Sequence, residues 1–404
     1  MKSVIIITDG AADAALDELH AKTPLEVANK PNIDELASRG SIGMVKTVPV
    51  GMAPGSDIAN LAVMGYDPEK YYTGRSSLEA VSMGVELKEE DITFRCNLVT
   101  LSGETVYEDN LMVDYSAGEI TTGEAKEIIS DLAGQLEEDG ISFYPGVSYR
   151  HVIVWKRGPF KAELTPPHDI LDKKIKGFLP RGEGNEKILA MMKESYRILR
   201  SHPVNIKRKK AKVATADSIW LWGQGKKPAL DDFSKRFGLD GSVISAVDLV
   251  KGIGICAGLE PVEVEGATGN IKTNFKGKAD AALDTLINKD KDFVFIHIEA
   301  PDECGHQGKL EEKIKSIELI DEKVVKTIKE GLESAGIDFK MMILPDHPTP
   351  VKVRTHTSDP VPYLIYDSTK LNKDKEPVVF SEASASRSGN FFDTGYGLTA
   401  YFLD

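Results

Sequence analysis

The residues best suited to chemistry lie near the end of the chain, in the stretch MMILPDHPTPVKVRTH, residues 341–356. Its first four residues have the apolar pattern of a buried strand. The loop that follows carries Asp346, His347 and, nine residues further on, His356. A carboxylate and two imidazoles at the carboxyl end of a strand are typical of half of a metal site. The alternative interpretation is a structural turn, since Asp and Pro are common in loops.

A second stretch with ligand-type residues is DFVFIHIEAPDECGH, residues 292–306. Its apolar run from Phe293 to Ile298 predicts another buried strand, and the segment after it presents Asp302 and His306. If this segment is helical, a separation of four residues brings both side chains to one side, as in many metal-ligand pairs.

Two further positions, both in the first part of the chain, suit the same site. The β-branched run from Ser3 to Thr8 predicts a central strand that ends at Asp9, although an Asp there also suits the start of a turn. Ser56 opens an apolar helix after a Gly-containing turn. A serine there is most often an N-cap, but a hydroxyl at a helix N-terminus is also well placed to be phosphorylated.

These candidates form a ligand set of carboxylates and imidazoles without thiolate. Such a set suits a pair of Mn²⁺, Zn²⁺ or Mg²⁺ ions at the carboxyl edge of one sheet. Two cations near a serine hydroxyl would lower its pKa and neutralise an incoming phosphate. The sequence therefore predicts phosphoryl transfer through a phosphoserine.

The composition limits the class of protein. A length of 404 residues is enough for two domains, and no apolar run approaches the roughly 18 residues that span a bilayer. The net charge of −13 argues against nonspecific nucleic-acid binding, so neither a nucleic acid nor a membrane is expected as a partner. The N-terminus has no signal-peptide pattern and the three cysteines are scattered, which favours a cytoplasmic protein.

The periodicity predicts an α/β protein with a mostly parallel sheet flanked by helices. From about residue 90 the pattern changes to alternating strands, which predicts an inserted α+β cap over residues 90–211 within a core formed by 1–89 and 212–404. The basic run 207–212 at its end is interpreted as a solvated linker, and the C-terminal region 390–403 as hairpin-like.

The order of the motifs resembles the alkaline phosphatase superfamily: Thr-Asp-Gly at 8–10, Gly-Ser-Asp at 55–57, Asp302 with His306, and Asp-His at 346–347. Within it the chain is similar to the archaeal-type, cofactor-independent phosphoglycerate mutases over nearly its whole length, through APGSDIANLAVMGYDP, YYTGRSSLEA and LPDHPTP. The resemblance implies an alkaline-phosphatase-like core. It also implies one metal ion held by Asp302, His306 and His356, another held by Asp9, Asp346 and His347, and Ser56 as the nucleophile near both.

The implied reaction is a step of glycolysis and gluconeogenesis. Ser56 would take the phosphoryl group of 3-phosphoglycerate and return it to the reoriented glycerate, giving 2-phosphoglycerate without free bisphosphoglycerate. We expect a small anionic phosphorylated substrate and two divalent ions, Mn²⁺ first, with Zn²⁺ and Mg²⁺ as alternatives; the oligomeric state stays open. The cap would enclose the substrate and bind its charged groups. The residues expected to do so are Arg75, Arg95, Arg150, His151, Arg181 and Lys226.

One stretch departs from this family. Such mutases carry an Arg-Gly-Ala-Gly type sequence where residues 218–225 read SIWLWGQG. This variant resembles a branch proposed to act as homoserine kinases in threonine synthesis, with the same metal centre and a different acceptor. A phosphatase or phosphonate hydrolase and a noncatalytic metal-binding scaffold are further alternatives. An enclosing cap favours the mutase and the kinase, because a hydrolase must admit water.

Overall fold

The computed structural model describes residues 1–138, 140–370 and 376–404 and divides the chain into two compact units. Unit 1 consists of Met1–Tyr72 and Ala229–Asp404, and unit 2 of Thr73–Pro228. The strands, numbered along the chain, are β1 (Lys2–Thr8), β2 (Ser41–Val45), β3 (Asp91–Leu101), β4 (Met112–Asp114), β5 (Ile141–Tyr144), β6 (Arg150–Lys156), β7 (Ala162–Glu163), β8 (Arg181–Gly182), β9 (Ser218–Gly225), β10 (Gly241–Ile244), β11 (Glu260–Pro261), β12 (Phe293–Ile298), β13 (Phe339–Leu344), β14 (Val361–Asp367) and β15 (Phe391–Phe392).

The α-helices are α1 (Pro24–Val27), α2 (Pro31–Arg39), α3 (Ser56–Val63), α4 (Pro68–Tyr71), α5 (Arg75–Ser82), α6 (Thr122–Leu136), α7 (Asn185–Leu199), α8 (Pro203–Lys210), α9 (Phe233–Phe237), α10 (Asp248–Cys256), α11 (Phe275–Leu283), α12 (Ala300–His306), α13 (Leu310–Ile320), α14 (Lys326–Ser334), α15 (Glu382–Arg387) and α16 (Gly395–Leu403). A π turn at Asp321–Val325 joins α13 to α14. Across the described residues, the helices lack the combination of length and apolar sequence that crossing a bilayer requires.

Unit 1 contains an eight-stranded sheet in the order β11-β10-β12-β1-β13-β14-β2-β15. Strand β1 is parallel to both of its neighbours, β12 and β13, whereas β14 runs antiparallel to β13 and β2. The three central strands were predicted from unbroken apolar runs, and the structure confirms them. Such runs suit strands covered on both faces, and residues 4–7 of β1 are fully buried. The mostly parallel sheet is confirmed as well, and the carboxyl ends of β12, β1 and β13 meet at one edge.

The C-terminal region is helical, so the prediction of a hairpin-like structure was wrong. The residues of α16 begin after Thr394, whose hydroxyl accepts a hydrogen bond from the Gly397 amide at the helix start. Leu398 and Phe402, four residues apart, are both buried, as on one side of a helix. The prediction gave weight to the glycines and aromatic residues and missed this spacing.

Unit 2 contains an antiparallel sheet in the order β4-β3-β6-β5, with β9 also paired to β3. The contacts put its boundaries at 72/73 and 228/229, whereas 89/90 and 211/212 were predicted. Residues 73–89 and 212–228 join this unit because β9 pairs with β3 and because the Ser76 hydroxyl of α5 donates to the carbonyl of Thr93, 3.1 Å away.

The basic run at residues 207–212 is not a linker. Most of it lies in α8, and Arg208 within it is only 6% exposed. The Arg208 guanidinium donates to the Glu124 carboxylate at 2.6 Å and to the carbonyls of Ala117 and Ala214. A run of positive charges indicates a solvated segment, but it does not reveal that Arg208 is buried together with its hydrogen-bond partners.

Candidate metal centre and nucleophile

The predicted ligands of unit 1 meet at the carboxyl ends of three neighbouring strands. Asp9 follows β1, Asp346 and His347 follow β13, and α12, directly after β12, carries Asp302. The approach of β1 to α12 depends on Gly10, which has a φ of 63°. A Cβ atom at Gly10 would lie 2.6 Å from the Asp302 Cα, so a larger residue there would separate the ligands.

One group of donors surrounds Asp302. The Nε2 atoms of His306 and His356 lie 2.9 Å from each other, and 3.2 and 3.3 Å from the two Asp302 oxygens. Burial raises the pKa of Asp302, but the hydrogen bonds to both imidazoles outweigh this effect and hold the pKa below its usual value. The hydrogen bond to Asp302 raises the pKa of His306 to about 9. These converging donors fit a divalent cation.

A second group consists of Asp9, His297 and Asp346, whose donor atoms all lie within 4.8 Å of one another. Asp9 is 1% exposed, and its Oδ1 has no hydrogen-bond partner among the residues described. Burial raises the pKa of Asp9, and the nearby charge of Asp346 raises it further. A buried, unpartnered carboxylate oxygen beside a second carboxylate is stabilised by a cation, so this group also fits a metal ion.

His347 lies between the two groups. Its Nε2 is 3.5 Å from Asp346 Oδ2 and 3.7 Å from Asp9 Oδ1, and its donor atoms also fall within 4.8 Å of those of Asp302 and His356. Distances alone therefore associate His347 with both groups. The division of ligands implied by the family resemblance, with His347 beside Asp9, stays a prediction.

Ser56 is the first residue of α3, and its Oγ lies 3.1 Å from His347 Nε2. The helix cap is Gly55, and no side chain caps this helix, so the N-cap interpretation of Ser56 was wrong. The amide of Asn60, one turn further along α3, donates to the Ser56 carbonyl at 2.9 Å and to Asp346 Oδ2 at 2.8 Å. The hydroxyl is thus held beside the ligand groups and is not used to cap the helix.

Sequence reasoning missed three residues at this site, namely His297, Glu299 and Asn60. His297 is fully buried near the end of β12, where a lone imidazole in an apolar strand was an available signal. Glu299 follows the same strand, and its donor atoms lie within 4.8 Å of those of Asp9 and Asp302. Burial, reinforced by the charge of Asp302, raises the pKa of Glu299 to about 7. For Asn60, the sequence gives no indication of a role at the site beyond its position four residues after Ser56.

Three of the predicted anion-binding residues belong to one cluster of unit 2. Burial lowers the pKa of Arg95, and the neighbouring charges of Arg75 and Arg150 lower it further. The Arg95 guanidinium stacks over the Trp222 ring at 4.3 Å and its Nε donates to the Glu79 carboxylate at 3.0 Å. Arg75 and Arg150 are both exposed, so this cluster presents positive charge at the surface of unit 2.

The other three are separate from this cluster in their contacts. His151 faces Cys96 across the β3–β6 pair, on the opposite side of the sheet from Arg95, and is 2% exposed. Burial lowers its pKa to about 3, and its position does not support the predicted contact with substrate. Arg181 donates to the carbonyl of Gly177, and the Lys226 ammonium lies 5.0 Å from the centre of the Phe160 ring. Their roles stay predictions.

Comparison with known proteins identifies the family to which this fold belongs. The family model described as 2,3-bisphosphoglycerate-independent phosphoglycerate mutase matches residues 37–205. The chain is 47% identical to a probable 2,3-bisphosphoglycerate-independent phosphoglycerate mutase of Geobacter sulfurreducens, covering 100% of both chains. It is 48% identical to the mutase of Methanosarcina mazei, covering 93% of this chain and 92% of the relative.

Two solved structures have the same fold as this chain over its whole length. The cofactor-independent phosphoglycerate mutase of Thermoplasma acidophilum superimposes with a TM-score of 0.66 at 26% identity, covering 100% of this chain and 99% of that one. A protein of Pyrococcus horikoshii superimposes with a TM-score of 0.82 at 29% identity, covering 100% and 96%. From the full-length identity to curated relatives, we conclude that the chain belongs to the 2,3-bisphosphoglycerate-independent phosphoglycerate mutases, a family of isomerases.

Proposed function

We propose that this enzyme interconverts 3-phosphoglycerate and 2-phosphoglycerate through a phosphoserine formed on Ser56. The observation that carries the proposal is the position of the Ser56 hydroxyl, 3.1 Å from His347 Nε2 and at the N-terminus of α3. The dipole of that helix end favours the negative charge of a phosphoserine. The mutase names of the curated relatives support the mutase reading and not the homoserine kinase alternative.

The proposal includes two divalent metal ions, with Mn²⁺ preferred and Zn²⁺ or Mg²⁺ as alternatives. Asp302, His306 and His356 would hold one ion. The other would be held by Asp9, Asp346, His347 and Ser56, with His297 and Glu299 beside them. When bound, the ions would supply positive charge that lowers the pKa of the serine hydroxyl and neutralises the transferring phosphate.

The transfers would take place in two steps. As the bond between Ser56 Oγ and phosphorus forms, the bond from phosphorus to the 3-oxygen of the glycerate breaks. The trapped glycerate reorients, its 2-hydroxyl oxygen attacks the phosphoserine, and the Ser56 hydroxyl is regenerated. Through its two hydrogen bonds, Asn60 would hold Ser56 at a fixed position relative to Asp346 during both steps. A substrate-binding role for the arginines of unit 2 and a cytoplasmic location remain predictions.

The test is a coupled assay of 2-phosphoglycerate formation from 3-phosphoglycerate, with Mn²⁺ and without bisphosphoglycerate. A parallel reaction contains ATP and homoserine. We expect turnover in the first reaction only, and we expect Ser56→Ala to abolish it. Rapid quenching of a reaction with labelled substrate should give a labelled phosphoserine peptide that contains Ser56. The control is Ser381→Ala, which removes the capping serine of α15 and should leave turnover unchanged. Full activity of Ser56→Ala would overturn the proposed nucleophile.

A further inference from the structure

Behind the ligand groups, Lys313 of α13 is a lysine that is 0% exposed. Its ammonium donates to Asp13 Oδ2 at 2.8 Å, to the Thr349 carbonyl at 2.9 Å and to the Ala12 carbonyl at 3.2 Å. The side chain of Asp13 is likewise 0% exposed. An ammonium group has three hydrogens to donate, so the three acceptors satisfy it completely.

The three acceptors belong to the two loops that carry ligands. Ala12 and Asp13 lie in the loop after β1, three and four residues from Asp9, and Thr349 lies in the loop after β13. Asp13 Oδ2 also accepts a hydrogen bond from the Val351 amide at 3.1 Å. Lys313 therefore joins two loops that are more than 300 residues apart in the chain.

Thr349 connects this buried ion pair to the ligands themselves. Its hydroxyl donates to Asp302 Oδ1 at 2.5 Å and lies 3.3 Å from His347 Nδ1. A hydroxyl has one hydrogen to give, and Asp302 receives it, so the contact with His347 requires that Nδ1–H is the donor. This arrangement favours the His347 tautomer with its hydrogen on Nδ1, in which the Nε2 lone pair is directed toward Ser56 Oγ.

We propose that Thr349 and Lys313 are positioning residues of the metal centre. Thr349 orients Asp302 and sets the His347 tautomer, and Lys313 holds the Thr349 backbone in place from behind. A buried ion pair is by itself a weak source of stability, so positioning of the ligands gives Lys313 and Asp13 a reason to be in the interior. The inference rests on the proposed assignment of Asp302 and His347 as ligands.

The first test compares Thr349→Val, which removes the hydroxyl at nearly constant shape, with Thr349→Ser, which keeps it. We expect Thr349→Val to weaken Mn²⁺ binding by about 10- to 100-fold in calorimetric titrations and to lower kcat, with little change in KM. Thr349→Ser should retain most of the wild-type Mn²⁺ affinity and most of the wild-type kcat. The ¹⁵N shifts of the His347 ring should show a mixture of tautomers in metal-free Thr349→Val. Unchanged Mn²⁺ affinity and an unchanged tautomer in that variant would overturn the inference.

The second test is Lys313→Met, with Lys30→Met as a matched control. Lys30 is also a buried lysine, with an exposed fraction of 1%. Its ammonium donates to Asp34, which is not one of the proposed ligands. We expect weaker Mn²⁺ binding in Lys313→Met only. Equal Mn²⁺ affinities in the two variants would count against the role of Lys313, and if Lys313→Met does not fold, the Thr349 pair decides.

The wild type separates this inference from the proposed function. If the wild type fails to bind Mn²⁺, or if Asp302→Ala binds it as tightly as the wild type does, the ligand assignment itself is wrong. If the wild type binds Mn²⁺, Asp302→Ala does not, and Thr349→Val matches the wild type, only the positioning inference fails.

Discussion

At the scale of single residues, Asn60 links the nucleophile to the ligand cluster. It is 0% exposed and donates both to the Ser56 carbonyl and to the Asp346 carboxylate. We expect Asn60→Leu, which keeps the size but removes both donors, to lower kcat by about 10- to 100-fold, since groups that orient metal ligands typically contribute that much. Steady-state kinetics with saturating Mn²⁺ measures the effect.

The control for this prediction is Asn205→Leu in unit 2. Asn205 is also 0% exposed and donates to two backbone carbonyls, those of Leu199 and Ala216. Its replacement should lower the free energy of unfolding by about 1–3 kcal/mol through unsatisfied buried groups and leave kcat unchanged. If Asn60→Leu behaves like Asn205→Leu, Asn60 is only structural.

The ligand residues give a second prediction. Asp302→Ala and His347→Ala should each reduce turnover to the level of the assay blank, because each removes one ligand of the proposed metal centre. Their far-ultraviolet circular dichroism should match that of the wild type, since both side chains lie at the sheet edge and outside the apolar core. Wild-type turnover in either variant would show that the ligand assignment is incorrect.

At the scale of elements, α12 packs so closely on the loop after β13 that only glycine fits at position 305. A Cβ atom there would lie 2.3 Å from the Thr349 carbonyl oxygen. We expect Gly305→Ala to lower the free energy of unfolding by about 1–3 kcal/mol, as overpacked sites do, and to shift Asp302 and His306 enough to weaken metal binding. Chemical denaturation and calorimetric Mn²⁺ titration measure the two effects.

A matched substitution is available in α6 of unit 2. A Cβ atom at Gly134 meets nothing within 4 Å, so Gly134→Ala should stabilise the protein by about 0.5–1 kcal/mol through helix propensity. It should leave Mn²⁺ affinity unchanged. If Gly305→Ala is as harmless as Gly134→Ala, the loop after β13 can move away without cost and the close packing is not needed.

The elements also show what the sequence can predict. Strands β1, β12 and β13 were predictable because each is an apolar run with a ligand-type residue shortly after it. Helix α16 was not, because its two glycines hide a pair of buried residues at helical spacing. His297 lies beside Asp9 and Asp346, and the Thr349 hydroxyl donates to Asp302, 47 residues away. Such contacts depend on the packing of loops, which periodicity does not describe.

At the scale of the whole molecule, metal removal should affect the two units unequally. The buried carboxylates of Asp9, Asp302 and Asp346 repel one another when no cation is bound. Mn²⁺ at about 100 times its Kd should raise the free energy of unfolding by about 2.7 kcal/mol per site. With chelator present, hydrogen exchange should therefore increase in unit 1 around α12 and the loops after β1 and β13, and change little in unit 2. Equal changes in both units would contradict a metal centre confined to unit 1.

The pairing of β1 has a consequence for how the chain is made. β1 occupies residues 2–8, but both of its neighbours, β12 and β13, lie between residues 293 and 344. During synthesis on the ribosome, about three quarters of the chain must be made before β1 has a strand to pair with. Residues 73–228, in contrast, form a continuous unit that can fold as it emerges. We therefore expect nascent chains arrested near residue 260 to present a protease-resistant unit 2 and an N-terminal segment that still depends on chaperones.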